Sequence, residues 1–168
     1  MANLRKLWNL YSGQLVGRLT GHSAAIFSIE YTPDDRHLVS GSEDKTVRVW
    51  DTHSIGNHIV LPVGEGCVTV SSGDSLIFTG TLSGELLCWN INLGDETVNP
   101  TPNRILAHDD SVFSVQYLPK MGSIITASRD RSVKLWSLET VEQSEAPAKA
   151  QVSFLGHKVG AHQTLFGM

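Results

Sequence analysis

The chain has 168 residues, 40% of them hydrophobic and 18% charged, with a net charge of -4. That is enough apolar material for one ordinary domain and too much for a disordered tail, while a small acidic excess without long charge runs argues against general nucleic-acid binding. No stretch approaches the roughly 18 consecutive apolar residues of a membrane helix, and the opening MANLRKLWNLYSG has no apolar core of signal-peptide length. An intracellular protein is expected, cytoplasmic first and nuclear as the alternative.

In chain order, residues 4–9 line up with VRVWD at 47–51 and read as a strand, a turn follows at Tyr11, Ser12 and Gly13, and residues 14–19 read as a second strand. Residues 25–31 and 37–42 alternate or run apolar at strand length, Pro33, Asp34 and Asp35 break them as a turn, and 46–50 alternates with period two. These are three antiparallel strands joined tightly, with a weak fourth at 58–61. A similar pattern runs from about Cys67 to Asn90, then a loop over 92–102 with Gly94, Pro100 and Pro102 leads to a strand at 103–107. Residues 107–136, AHDDSVFSVQYLPKMGSIITASRDRSVKLW, repeat the first pattern. Residues 139–150 are polar, Ala-rich and contain Pro147, which predicts a solvated loop. A strand at 152–155 precedes Gly156 and His157, and residues 158–168 carry no comparable strand pattern.

The repetition is regular. His22, Ser40, Asp44 and Trp50 recur without a gap as His108, Thr126, Asp130 and Trp136, and Phe27, Ser28, Tyr31 and Pro33 recur as Phe113, Ser114, Tyr117 and Pro119. Each pair is separated by twice a period that falls within the roughly 40–45 residues of one known repeat class, so a further unit lies between them. That middle unit keeps Thr79 and Trp89, has Ser83 in place of the turn Asp, and has Leu61 or Val63 where the histidine falls.

Residues 21–51, GHSAAIFSIEYTPDDRHLVSGSEDKTVRVWD, resemble one complete unit of the WD-repeat family, a four-stranded blade of a β-propeller. The resemblance implies that His22, Ser40, Asp44 and Trp50 form a hydrogen-bonded tetrad, as do His108, Thr126, Asp130 and Trp136, with Thr79 and Trp89 left as a partial one. Each type suits its place: an indole N–H only donates, a hydroxyl accepts and passes a bond on, imidazole relays, and a carboxylate accepts. A stranded member costs roughly 1–3 kcal/mol, so the tetrads are expected to serve stability, and the middle blade to be the least rigid.

The expected fold is all-β, a partial β-propeller of four-stranded antiparallel blades over residues 1–157. It comprises a half blade at 4–19 and blades at about 25–61, 66–107 and 111–155, followed by a divergent tail at 158–168. Because propellers typically have 4–8 blades, such a chain does not close a ring on its own and reads as a fragment or truncated isoform of a longer protein, or as one that completes its ring with further copies.

What the resemblance implies about function is a platform for binding other proteins, with no cofactor and no catalytic group. The alternative is a truncated regulatory or non-functional product of a larger WD-repeat protein. Glu43, Lys45, Asp109, Asp110, Arg129 and Arg131 on the turns of one rim are the candidate partner contacts. A nucleophilic triad from His22, Ser40 and Asp44 is disfavoured because the set recurs with a Trp donor each time. The histidines are repeat markers or lie at turns, apart from His157 and His162, which have no acidic or Cys partner nearby, so no metal site is expected. Arg5, Lys6, Arg129, Arg131 and Lys134 are interrupted by acids, giving no basic stripe for nucleic acid. Neither the Trp-Asp-x-Arg motif of ubiquitin-ligase substrate receptors nor the Phe-Arg-Arg-Gly motif of membrane-binding propellers occurs. Cys67 and Cys88 read as small buried hydrophobes.

Overall fold

In the computed structural model, residues 5–54, 58–73, 75–91, 101–143 and 149–155 are described. Among them the architecture is all-β, with one two-stranded and three four-stranded antiparallel sheets. The two-stranded sheet pairs β1 (Arg5–Trp8) with β2 (Leu15–Leu19). The first full blade runs β3 (Ile26–Tyr31), β4 (His37–Ser42), β5 (Thr46–Asp51) and β6 (His58–Pro62), each paired with the next. The second comprises β7 (Cys67–Ser72), β8 (Leu76–Thr81), β9 (Glu85–Asn90) and β10 (Asn103–Leu106). The third comprises β11 (Val112–Leu118), β12 (Ser123–Ser128), β13 (Ser132–Ser137) and β14 (Val152–Leu155). This is an unclosed, partial β-propeller.

Period-two alternation explains how the blades stack. On β9, Leu87 and Trp89 join Val39, Val47 and Val49 of the first blade in one core, while Leu86 and Cys88 join Ile124 and Trp136 of the third in another. Strand β8 divides likewise, with Ile77 in the first core and Phe78 in the second. The middle blade therefore buries both faces. At its centre Leu86, Leu87, Cys88 and Trp89 are each 1% exposed or less.

One prediction is corrected here. Leu138–Gln143 is a short helix, α1, where residues 139–150 read as a solvated loop. Glu139, Glu142 and Gln143 flank a single fully buried residue: Val141 lies in the core between the second and third blades, and Leu138 at the start of the helix packs partly buried against the same core. One apolar residue in a polar run gives no periodic signal. Residues 92–100 of the predicted loop, Gly156 and His157, and the 158–168 tail lie outside the described residues, as does Leu4 of the half blade.

Candidate functional site

Two buried polar chains occupy matching places in the first and third blades. In the first, His22 Nδ1 lies 2.8 Å from Asp44 Oδ2, and Nε2 lies 2.7 Å from Ser40 Oγ, which accepts the Trp50 indole N–H at 2.8 Å. In the third, His108 stands 2.8 Å from Asp130 and 2.7 Å from Thr126 Oγ1, which accepts the Trp136 N–H at 2.9 Å. Donor counting fixes the direction: indole donates to hydroxyl, hydroxyl to Nε2, and Nδ1–H to the carboxylate. Burial opposes the ionised carboxyl of Asp44, but the Thr46 hydroxyl, His22 and the Ser23 amide outweigh it and hold the pKa down at about 2. Asp130 is likewise held at about 2 against burial, by Ser132 and His108. Burial lowers the pKa of His108, partly offset by Asp130.

The middle blade is built differently. Pro62 pairs with Thr46 and Cys67 opens β7, leaving only residues 63–66 to connect them, whereas residues 107–111 join Leu106 to Val112. The shorter connection puts Val63 in the register place of Ala107, and no imidazole follows. The Thr79 hydroxyl instead meets the Cys67 thiol and donates to the Thr69 carbonyl at 2.7 Å, and the buried Trp89 N–H has no hydrogen-bond partner among the described residues. Ser83 bonds Glu65 and Thr81.

Several contributors were missed from sequence. The Arg48 guanidinium lies 5.7 Å from the Trp50 ring centroid, and the Lys134 ammonium 6.0 Å from that of Trp136, two residues before each tryptophan. Leu87 takes that place before Trp89. The signal was present as a basic residue two before each tetrad Trp. Along the inner strands, side chains bridge the blades: Ser28 Oγ accepts the Val70 amide (3.2 Å), and Ser71 Oγ the Tyr117 amide (3.0 Å). Glu30 holds the place of Ser71 in the first blade; burial pushes its carboxyl up to about 7, opposed by the Ser72 amide and the Ser71 hydroxyl.

A hollow of about 470 Å³ opens beside these inner strands, lined by Phe27, Ser28, Val68, Thr69, Leu82, Phe113 and Ser114. Phe27, Val68 and Phe113 are the second residues of β3, β7 and β11. Leu82, half exposed, takes the turn position held by Glu43 and Arg129 in the other blades. Around the same turns Glu43, Lys45, Asp109, Arg129 and Arg131 are exposed, Asp110 is half-buried, and Arg129 approaches Asp110 at 3.8 Å. Lys45 and Arg131 sit at left-handed backbone positions, φ 69° and 71°, where the middle turn has Gly84 at φ 94°.

The profile of the WD domain, G-beta repeat, matches residues 13–51 and 100–137, the two stretches that hold the complete tetrads. Guanine nucleotide-binding protein subunit beta of Zea mays is 33% identical over 73% of this chain and 34% of its own length. The chain belongs to the WD-repeat family. Among further WD-repeat relatives, Protein SUPPRESSOR OF PHYA-105 1 of Arabidopsis thaliana is 29% identical over 90% of this chain and 15% of its own length. Autophagy-related protein 16 of the same plant is 25% identical over 81% of this chain and 26% of its own. The chain thus spans about a third or less of the length of these relatives.

The WD-repeat tetrads are poorly suited to covalent chemistry. Ser40 and His22 are each 1% exposed, and the hydroxyl that would attack is already held by the indole. Burial pushes the Cys67 and Cys88 thiols up to about 12, so neither is thiolate near neutral pH. Among the described residues there is no group of three or more His, Cys, Asp or Glu that could hold a metal, and no helix long and apolar enough to cross a membrane.

Proposed function

We propose that this chain is a non-catalytic protein-interaction module that binds its partner over the hollow between Phe27, Leu82 and Phe113. The observation that carries this reading is Leu82. A turn that is charged in the two neighbouring blades presents an exposed leucine here, beside the half-exposed Phe27, so an apolar anchor is offered inside a ring of charged residues. That is the anatomy of an interface core with a polar rim. Glu43, Lys45, Asp109, Asp110, Arg129 and Arg131 supply the rim. Lys45 and Arg131 retain charged side chains at left-handed positions that favour glycine, and such strain concentrates at functional sites.

The tetrads hold the blades in shape rather than choosing the partner. An intracellular place, cytoplasmic or nuclear, goes with this reading, since both cysteines are free, buried thiols. The open ends of the arc take further propeller blades, from a second copy or another chain.

Immobilised wild-type chain and Leu82→Asp are compared for the proteins they retain from a cell extract, with thermal unfolding recorded for each. Loss of specific bands at unchanged melting temperature is expected for Leu82→Asp, and lowered melting for Asp130→Ala. Identical retention by wild type and Leu82→Asp would remove the hollow from the interface, and loss of binding by Asp130→Ala at unchanged melting would refute the division of roles. A folded chain that retains nothing would favour the reading as a truncated product whose longer parent does the binding.

A further inference from the structure

We infer that two copies of this chain assemble head to tail, the exposed Trp8 of one seating on the face formed by Phe154, Val133 and Leu135 of the other. This rests on the reading above that the open ends take further blades.

The two halves of the contact are already present at the interior joints. Trp8, Trp50, Trp89 and Trp136 hold the same strand position in successive sheets, and their exposures are 55%, 2%, 0% and 2%. Leu19, Leu61, Ile105 and Phe154 likewise occupy one position on the outer strands, and theirs are 4%, 0%, 5% and 60%. Leu19 clusters with Trp50, Leu61 belongs to the same core as Trp89, and Ile105 to the same core as Trp136. Each joint thus combines the outer-strand residue of one sheet with the tryptophan of the next. Among the described residues, Trp8 and Phe154 are the two members of these series that remain exposed.

The rest of the trailing face agrees. Val133 and Leu135 occupy the places of Val47 and Val49, which the second blade buries completely, yet they remain half-buried. At the position where Gly41 and Gly80 admit the next inner strand, the third blade has Ala127. A Cβ at Gly41 would stand 2.3 Å from Cys67 Sγ, and one at Gly80 would stand 2.6 Å from a Val112 methyl. The β1–β2 sheet of a second copy brings only outer strands, so Ala127 does not obstruct it. Such a joint is heterologous, and it ends in a ring only if the rotation closes. With four sheets among the described residues of each copy, two copies give eight blade positions, the upper end of the range of about 4–8 in which propellers close.

The test uses the full chain. Light scattering on a sizing column from about 1 to 200 µM reads the mass, and iodide quenching of tryptophan emission reads Trp8 as the exposed one of the four. A dimer is expected whose formation reduces quenching. Trp8→Ala and Phe154→Asp alter exposed side chains and should fold as wild type by circular dichroism, yet each should weaken association roughly thirtyfold or more. Their mixture should regain a dimer with a single intact joint. A monomer throughout the range would overturn the inference, as would association or aggregation that neither substitution reduces, and growth beyond two copies would overturn closure. Leu82→Asp should dimerise as wild type, so failure here is separable from failure of the hollow.

Discussion

Trp50 and Trp136 donate to hydroxyls that continue to imidazole and carboxylate, whereas the Trp89 N–H ends without an acceptor among the described residues. The three indoles are equally buried, so replacing each by Phe removes similar packing but different hydrogen bonding. Trp136→Phe strands Thr126, and Trp89→Phe relieves a buried donor. Chemical denaturation should show Trp136→Phe costing roughly 1–3 kcal/mol more than Trp89→Phe. Equal costs would mean that the tetrad adds nothing beyond packing. The eight tetrad positions were legible through the resemblance to the WD-repeat pattern, supported by the recurrence of the whole set at one spacing. The role of Cys67 was not, because a small buried thiol looks like any core residue until Thr79 is seen to turn toward it. Leu82 was equally silent, since exposure is a property of the turn rather than of leucine.

At the level of the element, strands β3 to β14 were largely readable from alternation and from turn residues such as Pro33, Asp34 and Asp35, whereas α1 was hidden by its polar faces. The contribution of α1 can be isolated through Val141, its one buried residue. Val141→Ala should cost roughly 1–3 kcal/mol by urea unfolding, and a cost near zero would make α1 a surface ornament. The spacing between sheets depends on the second-strand glycines of the first two blades, Gly41 and Gly80, and their need for closeness could not be read from a sequence in which Ala127 fills the same place in the third. An added methyl at Gly80 would meet Val112 at 2.6 Å and Thr69 at 2.9 Å, both side-chain atoms held in strands. Gly80→Ala should therefore destabilise by about 1–3 kcal/mol and speed amide exchange at the second joint, while Ala127→Ser should be close to neutral by the same measures. Equal effects at the two positions would argue against the close approach.

For the whole molecule, the buried ionisable groups pull stability in opposite directions with pH. Asp44 and Asp130 have folded values depressed from 3.8 to about 2, so their contribution is complete above about 4 and is lost as pH falls toward 2. His108, with its value lowered by burial, acts in the same sense from 6.5 downward, because the unfolded chain takes up the proton first. Glu30 acts oppositely: its folded value is raised from 4.5 to about 7, so ionising it in place becomes a growing penalty as pH rises across that interval. The third blade has Gln116 at the matching position, a neutral group of the same shape. Glu30→Gln should therefore leave stability near pH 4 almost unchanged and raise it by roughly 1–3 kcal/mol at pH 8. Urea unfolding of both chains at pH 4, 6 and 8 reads the difference directly, and a constant offset across that range would mean that Glu30 stays ionised in the folded protein. Because Glu30 lies at the joint between the first two blades, the added stability should appear as slower amide exchange along β3 and β7 and leave β12 and β13 unchanged. Uniform protection across all three blades would instead place the effect in the unfolded chain.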